Sequence, residues 1–181
     1  MYAYQWRGST LGDKSMVEFQ SRRSCRVALS VPIRVFGMDY QDMGFTEEAL
    51  TLIVNLHGAK IRMTHQLLPD SEVHVFSHPT GRSSVFRVVS KLQSPELKYT
   101  YWGVENLDPA KNIWGVDIPE LWPGDQLKIQ VTLECPTCSA RESLRLDETL
   151  LASLQEKGGV ERTCNLCNAP GMWKLLRLPA V

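Results

Sequence analysis

Four of the five cysteines stand as two Cys-x-x-Cys pairs, Cys135-Pro136-Thr137-Cys138 and Cys164-Asn165-Leu166-Cys167. A two-residue spacer lets both thiolates of a turn face one centre. Two such turns can then offer four sulfurs to a tetrahedral metal ion at about 2.3 Å. The 25 residues between the pairs slightly exceed the common ribbon spacing of about 15–20, and an intervening helix accounts for the extra length. Four thiolates leave no open position for water. A zinc ion on Cys135, Cys138, Cys164 and Cys167 is therefore expected to be structural and not catalytic. Disulfides would suit a secreted chain, whereas the opening Met-Tyr-Ala-Tyr-Gln-Trp-Arg lacks the features of a signal peptide. A redox dithiol would use one pair and leave the other unexplained. Cys25 stands apart and reads as a small buried residue.

The elements that must carry these cysteines are legible around them. Val131-Thr132-Leu133 leads into the first pair and Met172-Trp173-Lys174-Leu175-Leu176 leaves the second, both strand-like. Between them, Asp147 to Lys157 reads as a helix. Asp147 can cap it, Leu150, Leu151 and Leu154 offer an apolar face, and Gly158-Gly159 can end it. Residues 131–181 thus form an expected zinc-ribbon-like module with one short helix.

Upstream, residues from Arg26 to Gln130 read as strands. Val27 to Phe36 is rich in β-branched residues, and further runs follow at Ala49 to Met63, Glu72 to Phe76, Ser84 to Leu92, Tyr99 to Glu105 and Gln126 to Leu133. Turn signals at Leu68-Pro69-Asp70, Pro79-Thr80-Gly81 and Trp122-Pro123-Gly124-Asp125 punctuate them. Short strands without long helices between them predict a mainly β fold, an antiparallel barrel or sandwich. Pro32 predicts an edge or a bulge within the first strand. Asn106 to Glu120 is irregular in pattern, no internal repeat is evident, and residues 1–20 read as a mobile arm.

A chain of 181 residues with 43% hydrophobic and 22% charged residues accommodates one domain and a small appendage. Net charge is zero, and the segment from Val131 onward balances six bases against six acids, so no polyanion-binding surface is predicted. No run approaches the roughly 18 apolar residues of a membrane span, which together with the opening residues predicts a cytoplasmic chain with neither membrane nor nucleic-acid partner. The local exception is the stretch from Phe19 to Gly37, with Arg22, Arg23, Arg26 and Arg34 and no acid. It is a candidate anion site. His57, His65, His74 and His78 lie in strand-like or loop stretches without carboxylate company and read as structural. No Gly-x-Ser-x-Gly, phosphate loop or His-Glu-x-x-His is present, and no enzyme is predicted.

The run Arg22-Arg23-Ser24-Cys25-Arg26-Val27-Ala28-Leu29-Ser30-Val31-Pro32-Ile33-Arg34-Val35 resembles the start of a PilZ domain, the family of cyclic-di-GMP receptors whose Arg-x-x-x-Arg motif leads into the first barrel strand. The motif falls on Arg22 and Arg26, with Arg23 beside it. The family's second motif, Asp/Asn-x-Ser-x-x-Gly, falls on Thr51-Leu52-Ile53-Val54-Asn55-Leu56-His57-Gly58-Ala59, where the glycine is kept at Gly58. Ile53 replaces the acid or amide and Asn55 replaces the serine, so this motif is degenerate. Phe86-Arg87-Val88-Val89 and Tyr101-Trp102-Gly103-Val104-Glu105 also look family-like, and the resemblance spans residues 19–130.

The resemblance implies a PilZ-like antiparallel β-barrel over residues 21–130. It also implies cyclic-di-GMP as ligand, bound by Arg22, Arg23, Arg26, Asn55 and Gly58. Guanidinium forks match both phosphate oxygens and the O6/N7 edge of guanine. Isoleucine at position 53 cannot accept from guanine N–H groups, whereas Asn55 can still donate and accept. The expected function is a cyclic-di-GMP-binding signalling adaptor with a protein partner. The alternative is a PilZ-like interaction module that has lost the nucleotide and keeps its zinc ribbon. A nucleic-acid-binding finger is a third reading, opposed by the neutral C-terminal segment.

Overall fold

Alternation decides the first long strand. In β2 (Pro32–Met38), Ile33 and Val35 are fully buried while Arg34 and Phe36 face outward, the period of a half-buried strand. The computed structural model describes residues 24–94, 97–118 and 128–177. The expected arm at 1–20 and the Trp122-Pro123-Gly124-Asp125 turn lie outside these residues.

Strand β2 pairs antiparallel with β3 (Gly44–Asn55), which turns back into β4 (Gly58–Met63). The apolar run from Ala49 to Met63 is therefore two strands and not one. Asn55 breaks it, because its side-chain oxygen accepts from the backbone N–H of His57 at 2.8 Å and folds the chain over. Strand β4 pairs with β7 (Thr100–Asn106), β7 with β6 (Arg82–Leu92), and β6 with β5 (Glu72–Ser77). Strand β5 returns to β2 and closes a six-stranded antiparallel barrel. Closure leaves these strands no open edge. Ile33, Ile61, Met63, Val75, Phe86 and Trp102 fill the interior. The irregular segment after β7 contributes Ile113 and Trp114, both essentially inaccessible, as a plug over that core. The Trp114 indole N–H donates to the Asn55 carbonyl at 2.9 Å, which pins the plug to the β3–β4 turn.

The apolar stretch at 26–36 is also interrupted. Its first part, β1 (Arg26–Ala28), meets β3 at Val27↔Val54, and the chain then breaks before Pro32. The Thr51 hydroxyl spans the break, donating to the Leu29 carbonyl at 2.5 Å and accepting from the Val31 N–H at 2.8 Å. A buried hydroxyl thus replaces ladder bonds where proline cannot donate one.

The C-terminal part begins with β8 (Ile129–Glu134), followed by β9 (Arg141–Leu146), α1 (Glu148–Lys157), β10 (Val160–Thr163) and β11 (Pro170–Leu175). The expected boundary between residues 130 and 131 falls inside β8. Along one edge β8 pairs with β9. Along its other edge the first half runs parallel to β1, and the second half runs antiparallel to β11. Strand β8 is thereby the splice between barrel and cysteine module. Ala28, Ile53, Ile129, Val131 and Leu151 form the buried cluster at this junction.

Helix α1 starts as expected. The Asp147 carboxylate accepts from the Leu150 N–H at 2.8 Å, and Gly158 ends the helix at φ 73°, a conformation that only glycine adopts freely. The expected apolar face is narrower than three leucines: Leu151 is buried, but Leu150 is 54% exposed. The helix lies on the module with one side only, and Leu150 is turned off that side. Strands β9 and β10 were not evident in the sequence, because Arg-Glu-Ser-Leu-Arg-Leu and Val-Glu-Arg-Thr are polar on their solvent face.

Candidate metal centre and arginine-motif region

The two cysteine pairs are copies of one local structure. Cys135 N–H donates to Ala140 O at 2.8 Å and Ser139 N–H donates to Cys135 O at 3.1 Å. In the second pair, Cys164 N–H donates to Ala169 O at 3.0 Å and Asn168 N–H donates to Cys164 O at 2.9 Å. Ser139 and Asn168 each take the left-handed conformation, at φ 57° and 54°. The repeat Cys-x-x-Cys-x-Ala was present in the sequence, but its sixth position carries no ligand chemistry and attracts no notice. A tight turn aims both sulfurs of each pair inward, and β8, β9, β10 and β11 bring the two turns face to face.

All four Sγ atoms lie within 4.8 Å of one another. Cys135 and Cys167 are 3.9 Å apart at sulfur, and Cys138 and Cys164 are 3.6 Å apart. A tetrahedron with metal–sulfur bonds near 2.3 Å requires sulfur–sulfur edges of about 3.8 Å. The four thiols therefore fit a metal ion such as zinc. Among the described residues no other group of three or more metal-ligating side chains converges.

Electrostatics within the cluster agree with that fit. The N–H groups of Cys167 and Leu166 hold the Cys164 thiol down to about 6. The N–H of Cys138 does the same for Cys135, which is also lowered. At Cys138 the Ala140 N–H pulls downward, but the Cys167 thiol, burial and the other sulfurs outweigh it and push the group up to about 12. Four sulfurs this close cannot all ionise without a cation among them. Leu133 and Trp173 bury Cys135 and Cys164 from behind, and the Arg162 guanidinium lies 5.3 Å from the Trp173 ring. Cys25 is buried at 8% exposure, away from the cluster.

The residues of the arginine motif have separate placements. Arg22 and Arg23 lie outside the described residues. Arg26 opens β1 and is paired in register with Ile129 of β8. Val27 joins the barrel core and Ala28 the junction cluster, so strand alternation puts Arg26 on the face turned from the barrel interior. Arg34 binds Glu48 at 2.6 Å, and His78 takes the other oxygen of that carboxylate at 2.7 Å. Arg34 is thus committed to a surface ion pair.

The second motif is occupied by packing. Ile53 is 6% exposed within the junction cluster. Asn55 holds the β3–β4 turn. At Gly58, an added Cβ would stand 2.1 Å from the Val104 carbonyl oxygen of β7, so the close approach of two backbones demands glycine. Two of the four histidines, His65 and His78, have carboxylate partners, contrary to expectation. His65 Nδ1 lies 2.6 Å from Glu47, and His78 pairs with Glu48 as described. Sequence distance hid both partners, which reach the histidines only by strand pairing. Burial raises the Glu47 carboxyl, yet hydrogen bonds from His65 and Thr64 outweigh it and leave the group below its ordinary value.

No helix among the described residues is long and apolar enough to cross a membrane. Compared with known proteins, the chain matches no family model, no curated protein and no solved structure.

Proposed function

We propose that this chain is a cytoplasmic signalling adaptor of the PilZ type, a receptor and not an enzyme, which binds cyclic-di-GMP and carries a structural zinc ion in its C-terminal module. The observation that carries the reading is the position of the arginine motif. In the sequence Arg22 and Arg23 precede β1 by a few residues, and Arg26 opens that short strand, which pairs with barrel strand β3 and with β8. Their guanidinium groups can take phosphate oxygens and guanine edges bidentately, and binding would alter the surface offered to a protein partner. Calorimetric titration of cyclic-di-GMP into wild type and into Arg22→Ala/Arg26→Ala tests it. The expected result is saturable heat that the double substitution abolishes, and absence of heat at about 100 μM protein overturns the reading.

Zinc on Cys135, Cys138, Cys164 and Cys167 would cross-link the two turns. It supplies cohesion, not reactivity, to a module too small to hold itself by apolar burial.

A second reading has its own support. Ile53 and Gly58 are taken up by the junction cluster and a backbone contact, and the Asn55 side-chain oxygen by a turn, so the second motif offers little for ligand recognition. That favours a PilZ-like interaction module indifferent to nucleotide. Its signature is a partner captured equally with and without cyclic-di-GMP, together with a silent titration.

A further inference from the structure

Between the outer face of the barrel and the first cysteine turn lies a groove of about 680 Å³, within the roughly 300–1,000 Å³ range of small-molecule sites. Arg62 of β4 lines it from the barrel side, and Lys174 and Arg177 line it from the end of the chain. One carboxylate, Glu134, reaches the groove, and Arg141 already holds it at 2.9 Å. This imbalance is local. Arg34, Arg87 and Arg162 each carry a carboxylate partner on the surface, whereas Lys174, opposite Glu134 across the β8–β11 pair, and Arg177 form no ion pair among the described residues. The cations are also placed by the fold. Ser30 and Arg177 form a parallel bridge, Leu176 N–H donates to Thr132 O at 2.8 Å, and the Arg62 guanidinium sits 4.6 Å from the Tyr99 ring. A concave site with convergent cations and no uncommitted acid favours an anion with several oxygens.

We infer that this groove binds a small phosphate-bearing ligand, with Lys174 and Arg177 on one side of the phosphates and Arg62 on the other. The inference goes beyond the proposed function, since neither Arg26, Asn55 nor Gly58 lines the groove. It accounts for Lys174 and Arg177, which neither the arginine motif nor the cysteine cluster uses.

The test uses the full zinc-loaded chain and two probes, inorganic pyrophosphate and cyclic-di-GMP. Pyrophosphate is expected to bind wild type and to bind Lys174→Ala/Arg177→Ala at least about tenfold more weakly, the loss of one or two charge-assisted contacts. Lys111→Ala, on the segment after β7, should leave the affinity within about twofold. Modification of the Lys174 amine by an acetylating ester, read by mass spectrometry on wild type, should slow several-fold with pyrophosphate present while Lys111 is unaffected. This second measurement needs no variant to fold. Silence with both probes, or unprotected Lys174, overturns the groove. Silent pyrophosphate, with cyclic-di-GMP binding that survives Lys174→Ala/Arg177→Ala but fails in Arg22→Ala/Arg26→Ala, overturns the groove and keeps the proposed receptor. Pyrophosphate binding that needs Lys174 and Arg177, with no response to cyclic-di-GMP, keeps the groove and overturns the receptor.

Discussion

Ile53 is the residue at which resemblance and packing part company. As a motif position it is a missing acceptor. In the fold it is an apolar contact with Ala28, Ile129, Val131 and Leu151, which explains why a carboxamide is absent. Restoring the motif as Ile53→Asn is therefore expected to cost about 3 kcal/mol in denaturant unfolding, because the amide is buried without partners. It should bring no gain in cyclic-di-GMP affinity by calorimetry. The metal centre carries the second prediction at this scale. Thiols must ionise to hold a cation, and Cys164, lowered to about 6 by the Cys167 and Leu166 N–H groups, is the one kept ionised furthest as pH falls. Acid is therefore expected to release a bound zinc ion by protonating its ligands. Zinc release, followed with a chromogenic chelator, should be absent at pH 7 and reach half-completion below pH 6. The pairing of the four cysteines into one cluster that fits a metal ion was legible, because both spacing and residue type are local. The carboxylate partners of His65 and His78 were not, because strand register alone creates them.

At the scale of elements, the barrel strands were legible because each alternates, and their turns carry glycine or a left-handed residue such as Asp70 and Gly81. What alternation cannot show is where a hairpin hides within one apolar run, as at Asn55, or that Ile113 and Trp114 of an irregular segment enter the core. Nor does it tell which leucines of a short helix face inward. Leu151→Ala should cost about 3 kcal/mol by cavity formation, while Leu150→Ala should stay within about 0.5 kcal/mol, both from urea unfolding. Cys164→Ser removes one of the four proposed zinc ligands and should free β10 and β11. Hydrogen exchange should then show lost amide protection in those strands and retained protection in β2, β5 and β6, whose ladder closes without the module. Equal loss in both sets would show that the barrel depends on the metal.

For the molecule as a whole, the groove and the candidate metal centre share a wall, since Cys135 and Pro136 border both. Removing zinc with a chelator is expected to weaken pyrophosphate binding at least about tenfold, and re-adding zinc to restore it. Unchanged binding in the metal-free chain would separate the two sites.

Strand β8 adds a consequence in time. Strand β1 is made early, yet its main partner is β8, which emerges only after every barrel strand has been synthesised, and until then β1 has one residue pair with β3, Val27 with Val54. Contacts this distant in sequence form late. The barrel can therefore close on the ribosome before the strand bearing Arg26 is locked, so that strand is seated last, by the same stretch of chain that carries the first cysteine turn.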